Sequence, residues 1–271
     1  MRATIPEHER WFRSFSSRAE ARTRLFCFPH AGGGPGLFRN WGNALPGSTE
    51  VLGATLPGHD ERMMEKSFCE WPALLDALCD AIAPCLSEPF AFFGHSFGAR
   101  LAFELTRRLE ARNGPLPTLL MVSACRCPHI ACPQPLIHGL PEAQFYERVR
   151  EFCGAPAGVF ENRKLLRLFE PALRADVKLC ESWPATGGTI RTPIAALSGA
   201  QDPIDPPESM HEWGRYTESP FVFRRFAGDH FFLRRNEAEV LRFVAALIAP
   251  PKGEAQWTSK KRTELRVTTT M

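Results

Sequence analysis

Gly94-His95-Ser96-Phe97-Gly98 constrains this chain more than any other stretch. Ahead of it, Phe90, Ala91, Phe92 and Phe93 form an apolar run without polar alternation, the pattern of a strand covered on both faces of a parallel sheet. Behind it, Phe97, Leu101, Leu105 and Leu109 recur every fourth residue with Arg100, Glu104, Arg107 and Arg108 between them. That spacing predicts an amphipathic helix, closed near Gly114. A serine held in a tight turn between strand and helix projects its hydroxyl from the top of the sheet, and glycines two residues either side permit the turn. The pentapeptide alone arises by chance in roughly one chain in ten of this size. Its setting makes Ser96 a candidate nucleophile rather than part of an unrelated glycine-rich turn.

The rest of the chain repeats the same strand and helix alternation. Arg24–Phe28 reads as a strand running into Pro29-His30-Ala31-Gly32-Gly33-Gly34-Pro35-Gly36, and Glu50–Leu56 as the next, closed by Pro57-Gly58-His59-Asp60-Glu61-Arg62. His59 and Arg62 there either shape the mouth of a site or make surface ion pairs. A helix from Trp71 to Leu86 leads to the Phe90 strand, Leu119–Ser123 is a further buried strand, and Pro193–Ser198 and Pro220–Phe226 are the last two. Asn236 is placed to cap a final helix whose apolar side carries Val240, Leu241, Val244, Leu247 and Ile248. Such alternation predicts an α/β fold with a mostly parallel sheet, right-handed crossovers and helices on both faces. Between about residues 125 and 188 no strand is legible. Helical stretches containing Phe145 and Val149, then Leu165, Leu166, Leu168 and Phe169, read either as a lid over the site or as an elaborated crossover.

The domain so defined spans 24–250, after an N-terminal segment 1–23. The 21 residues from Pro251 carry five Lys/Arg and two Glu, lack apolar periodicity and read as a disordered tail. Because the whole chain carries a formal charge of +3, the body is balanced, which argues against nucleic acid as a partner. No apolar run is long enough for a membrane span, and the N-terminus has neither a signal core nor the acid-poor composition of a transit peptide. Nine cysteines, an odd number scattered over predicted strands and helices, fit reduced thiols and a cytoplasmic location. The Cys125-Arg-Cys127-Pro-His129-Ile-Ala-Cys132 cluster matches no usual structural zinc spacing, and no metal is expected.

A serine hydroxyl becomes a useful nucleophile when a base takes its proton and an acid orients that base. Ser96, Asp202 and His230 each follow a predicted core strand, in the chain order of an α/β-hydrolase relay, so parallel strands would deliver all three to one sheet edge. Asp205 and Asp229 compete for the acid role. Asp202 is favoured because it follows its strand after one short turn, whereas Asp229 adjoins the base. His95 is expected to be structural and His30 to line the pocket. The glycine-rich loop after Phe28 contains neither G-x-G-x-x-G nor a P-loop, so nucleotide binding is not expected and no cofactor is called for. Its better role is to supply one backbone N–H to an oxyanion, with Ala31 and Phe97 as the two donors.

FPHAGGG with Trp41 after it, LPGHDER, FFGHSFGARLAFEL, PALRAD, LSGAQDP and FAGDHFFL, in that order, resemble the free-standing type II thioesterases of polyketide, nonribosomal peptide and fatty-acid synthesis. The resemblance runs from about Leu25 to Ile248. It implies an α/β-hydrolase fold with a helical lid, Ser96, Asp202 and His230 as the triad, and Ala31 and Phe97 as the oxyanion hole. It further implies hydrolysis of acyl thioesters on the phosphopantetheine arm of an acyl or peptidyl carrier protein, for editing or chain release. The alternatives are an esterase or lipase on oxygen esters and an acyltransferase. Carrier proteins are usually acidic, which makes Arg224, Arg225, Arg234 and Arg235 candidate docking charges. Phe97 departs from the pattern, where methionine is commoner, and the tail lies outside it.

Overall fold

Apolar runs that alternate poorly in sequence lie here where both faces of a sheet are covered. The computed structural model describes residues 5–16, 21–131, 135–152, 162–184 and 187–249. Among these, seven strands, β1 (Phe12–Ser14), β2 (Thr23–Phe28), β3 (Thr49–Ala54), β4 (Phe90–His95), β5 (Leu120–Ser123), β6 (Ile194–Gly199) and β7 (Phe221–Phe226), form one sheet in the order β1-β3-β2-β4-β5-β6-β7. β1 is antiparallel to β3, and all other neighbours are parallel. The helices used below are α1 (Glu7–Trp11), α2 (Trp41–Ala44), α3 (Trp71–Ile82), α4 (Phe97–Ala111), α5 (Glu142–Phe152) and α6 (Arg163–Glu181). A further helix, Glu237–Ile248, closes the described chain.

Successive residues of the central strands feed two different cores. Phe26, Phe28, Phe90 and Phe92 pack on one face with α3 and α4, while Leu25, Cys27, Ala91 and Phe93 pack on the other with Trp41 and the closing helix. This double burial is why period-two alternation is missing from the sequence. Phe26 and Phe28 both meet Phe92 edge to face, at centroid distances of 5.9 and 5.5 Å, and Phe12 of β1 meets Phe26 at 5.0 Å. Such geometry adds about 0.5–1.5 kcal/mol per pair to simple burial.

Several local expectations change. Residues ahead of Thr23 join the sheet: α1 runs directly into β1, whose Phe12 pairs with Ala54 and is buried. A three-residue edge strand is too short to show periodicity, so the sequence offered no element there. The left-handed residue that ends α4 is Asn113, at φ 52°, rather than Gly114, whose N–H reaches back to Leu109 O at 2.9 Å. Asn236 does not cap with its side chain; its amide donates to Ala227 O and Phe232 O, tying the helix start to the preceding turn.

Between β5 and β6 the described residues hold helices and turns but no strand, as expected. Ile137, Phe145, Val149 and Leu166 give this insertion its own small core, and the inner side of α6 turns toward the sheet edge through buried Ala172, Ala175 and Asp176. The basic tail lies outside the described residues, as does Cys132. No helix among the described residues is long and apolar enough to cross a membrane.

Chain direction reverses its march across the sheet between β2 and β4, so the loops leaving these two strands face each other at the carboxyl edge. Open α/β sheets form their binding crevices at such a switch point. Further along the same edge, β6 and β7 end side by side. A Cβ on Gly199 would lie 2.2 Å from Asp229 O and 2.7 Å from Gly228 O, closer than atoms can approach. Only the missing side chain lets the exit of β6 touch the turn after β7. Gly199→Ala is therefore expected to cost about 1–3 kcal/mol, as overpacking does elsewhere. A lower urea midpoint at unchanged m value would register that loss.

Candidate active site

Ser96 sits between β4 and α4 with φ 55° and ψ −116°, a region that residues with a Cβ rarely occupy. Its N–H donates to Ser123 O at 2.8 Å, and its carbonyl accepts from Ala99 N at 2.9 Å. The flanking glycines are required by contact: a Cβ on Gly94 would lie 2.2 Å from Gly98 O, and one on Gly98 2.0 Å from Phe28 O. Strand, helix and the end of β2 thus close on one another, leaving the serine at the apex.

The turn after β7 brings His230 to this apex. Its Nε2 lies 2.9 Å from Ser96 Oγ, and its Nδ1 lies 2.8 Å from Asp202 Oδ2. Asp202 and His230 are both buried, and the other oxygen of Asp202 accepts from Ile204 N at 2.8 Å and Asp205 N at 3.0 Å. A carboxylate held by two backbone donors presents its remaining oxygen to the imidazole in a fixed direction. With Nδ1–H donated to Asp202, Nε2 is free to accept the serine proton, the arrangement proton-relay chemistry needs.

The competing acids are engaged elsewhere. Asp205 is paired with Arg126 at 2.5 Å, and Arg126 also donates to Ile204 O and Ala131 O. Both members of that pair are buried, so the start of the insertion clamps the loop that carries Asp202. Asp229 Oδ1 accepts from Phe231 N at 2.9 Å, as a turn residue would. His95 is buried behind the serine with Nδ1 2.9 Å from Ser123 Oγ, and burial pushes its pKa well below the usual histidine range. His30 is likewise neutral, its pKa lowered to about 4 by burial.

Ala31 and Phe97 occupy the two loops that meet at the switch point. Phe97 is the first residue of α4, where a backbone N–H has no intrahelical carbonyl to bond. Its ring turns into the core against Trp71, with centroids 6.1 Å apart, so the departure from methionine affects packing beneath the site. His59 and Arg62 are both buried, although Arg62 does pair with the partly exposed Glu65 at 2.7 Å. Arg62 lies over the Trp11 ring at 4.5 Å, and His59 Nε2 lies 2.9 Å from Asp176 of α6. Partners separated by 117 residues carry no local sequence signal.

Of the four arginines, Arg224 is tied to Glu239 at 2.8 Å and lies over Phe226 and Phe243. Arg234 lies over Phe231 and within 3.4 Å of His30 Nε2, while Arg225 and Arg235 are exposed. In the cysteine cluster, Cys127 Sγ is 3.4 Å from His129 Nδ1, and burial pushes the thiols of Cys125 and Cys127 up to about 12. Among the described residues no group of three His, Cys, Asp or Glu is placed to hold a metal ion.

A mostly parallel sheet with a serine at the elbow after β4, and histidine and aspartate loops at the same edge, defines the α/β-hydrolase fold. Comparison with known proteins agrees: residues 23–248 match the thioesterase domain family, and the chain belongs to it. Thioesterase PikA5 of Streptomyces venezuelae is 35% identical over 90% of this chain and 87% of its own. The linear gramicidin dehydrogenase LgrE of Brevibacillus parabrevis is 34% identical over 92% of this chain and 96% of its own. The redox activity in that name belongs to that protein; here the sheet edge brings Ser96, His230 and Asp202 into hydrogen-bond contact. The solved structure of BorB, a type II thioesterase from the borrelidin biosynthetic cluster, superposes with a TM-score of 0.78 at 32% identity, covering 88% of this chain and 97% of its own.

The His59 environment makes a prediction for pH. Burial alone would lower its pKa, but the Asp176 charge and hydrogen bond, the Pro57 carbonyl and Asp60 outweigh that and raise it to about 9. A histidine raised above its unfolded value of 6.5 contributes stability that is fully present below that value and lost as pH climbs through about 9. The shift corresponds to a contribution on the order of 3 kcal/mol. Native protein is expected to lose thermal stability between pH 7 and pH 10 by that amount more than His59→Gln does. Parallel melting curves of the two proteins across this range check it.

Proposed function

We propose that this protein hydrolyses thioesters that join acyl or peptidyl groups to the phosphopantetheine arm of carrier proteins. The observation that carries the reading is the continuous chain of contacts from Ser96 Oγ through His230 to Asp202, within a member of the thioesterase family. His230 takes the serine proton as Ser96 attacks the thioester carbonyl, and Asp202 stabilises the imidazolium that forms. The backbone N–H groups of Ala31 and Phe97 hold the oxygen that becomes negative. Collapse of the tetrahedral adduct expels the pantetheine thiol, which receives its proton from His230. Water activated by the same base then releases the acyl group as free acid and restores Ser96.

Support for a carrier-borne substrate comes from the type II thioesterases among its relatives and from the exposed arginines beside the histidine loop. An acidic carrier surface would approach Arg225 and Arg235, whose guanidinium groups match carboxylates in geometry as well as charge. Editing of stalled units and release of finished chains use the same step, and the acyl group presented decides between them.

Three outcomes are expected. Ser96→Ala abolishes release of free acid from an acyl carrier protein. Asp202→Asn lowers kcat by about 10⁴-fold, because the imidazole loses its oriented tautomer. Arg225→Glu combined with Arg235→Glu raises KM for the carrier-bound thioester several-fold while leaving hydrolysis of a free acyl-pantetheine unchanged. Cleavage of simple oxygen esters together with no release from the carrier would transfer the protein to the esterases. An unchanged KM for the carrier-bound thioester in the charge-reversed protein would remove the docking role of the arginines.

A further inference from the structure

The loop that carries Ala31 is held from the far side by a residue 144 positions later in the chain. Asp176, buried on the inner side of α6, accepts through a single carboxylate oxygen, Oδ2, from Gly32 N–H at 2.8 Å and from His59 Nε2 at 2.9 Å. The other ring nitrogen of His59 lies 3.3 Å from Pro57 O. With an oxygen at each nitrogen, the ring is placed to donate from both, which is the charged form. The helix also packs directly on the loop. Gly32 sits at φ 68°, and a Cβ there would lie 2.9 Å from Leu173 Cδ1, one helical turn before Asp176.

The peptide joining Ala31 to Gly32 is therefore gripped at both ends. Its N–H goes to Asp176, and its carbonyl lies 3.0 Å from His30 Nδ1. Because His30 stays neutral, its Nδ1–H can donate to that carbonyl while Nε2 faces the Arg234 guanidinium at 3.4 Å. Gly33 N–H then closes the turn onto His30 O at 2.9 Å. His30 O belongs to the same rigid peptide plane as the Ala31 N–H, so this bond fixes that plane, while the grip on the next plane holds the loop around it. Oxyanion donors act by being aimed before charge develops, so a loop free to turn would lose most of their benefit.

We propose that Asp176, with His59 as its buried counter-charge, is the positioning residue for the Ala31 oxyanion donor, and that α6 thereby completes the active site. The proposal rests on the reading of Ala31 as such a donor. A residue acting this way contributes to the transition state and leaves ground-state binding untouched. A residue that merely stabilises the fold would lower the melting temperature without altering the kinetics of the protein that remains folded.

The test compares native protein, Asp176→Asn and Ala31→Pro, each verified as folded by circular dichroism, on one acyl-pantetheine thioester. Two inhibitors accompany it. One is the matching acyl-pantetheine trifluoromethyl ketone, whose serine adduct places an oxyanion in the hole; the other is the unreactive thioether analogue. In Asp176→Asn, kcat is expected to fall ten- to a hundredfold with KM within about twofold of native. Ketone affinity should fall in parallel, and thioether affinity should not change. Native kcat and ketone affinity in Asp176→Asn would overturn the proposal, as would a rise in KM at constant kcat. Ala31→Pro separates the two levels, since it deletes the donor itself. Loss of kcat there with a normal Asp176→Asn refutes only the positioning role, whereas native kcat in Ala31→Pro refutes the donor reading beneath it. Should Ala31→Pro not fold, the contrast between ketone and thioether in Asp176→Asn still decides the proposal.

Discussion

Everything at the working edge of this molecule depends on one strained residue. Ser96 adopts a conformation that costs of order 1–3 kcal/mol, and it persists because its surroundings permit nothing else. β4 below it is buried on both faces, and α4 above it is anchored by Leu101, Phe103 and Leu105. Between the two, Gly94 and Gly98 bring backbone to within distances that no side chain would tolerate. The strain is stored in the turn and balanced by the core. Its yield is a hydroxyl raised off the sheet at the place where the loops after β2, β6 and β7 converge.

That convergence is secured by buried charge as much as by apolar packing. Arg126 and Asp205 tie the first residues of the insertion to the loop bearing Asp202, and His59 and Asp176 tie its long helix to the loop bearing Ala31. Buried ion pairs are poor sources of net stability, because desolvation offsets most of their attraction. They are nonetheless intolerant of misplacement, since separating the partners leaves a charge unpaired in the interior at a cost of about 3–5 kcal/mol. Both pairs join the helical insertion to the sheet edge, one a hydrogen bond away from Asp202 and the other one residue away from Ala31. The insertion is therefore tied to the sheet edge at two points by charge.

Legibility in the sequence followed the range of the interactions involved. The central strands stood out as unalternating apolar runs because two cores demand apolar residues at every position. The elbow stood out because its steric requirement falls on residues two apart. Ser96, Asp202 and His230 could be selected because each follows its own strand at short distance, and strand ends are set locally. The misses are of another kind. β1 is three residues long and owes its place to pairing with β3, so nothing within it announces a strand. Asn113 took the left-handed position at the end of α4, and Gly114 next to it supplies the N–H that closes the turn onto Leu109 O. The sequence left His59 and Arg62 between the mouth of a site and surface ion pairs, because the groups that cover them, Asp176 and Trp11, come from distant parts of the chain.

The sequence by itself determined the alternation of strand and helix, the order of the serine, aspartate and histidine, and the turn that exposes the serine. Each of these follows from steric and hydrophobic rules acting over a few residues. Only the tertiary structure decided which carboxylate faces His230, that Asp205 is spent on Arg126, and that a helix of the insertion holds the Ala31 loop through Asp176. These are contacts between groups 28 to 144 residues apart, and they exist only once the sheet has brought its carboxyl edge together. A local pattern can specify where each loop leaves the sheet. Which loops then share a proton or a charge is settled by the order in which the strands lie side by side.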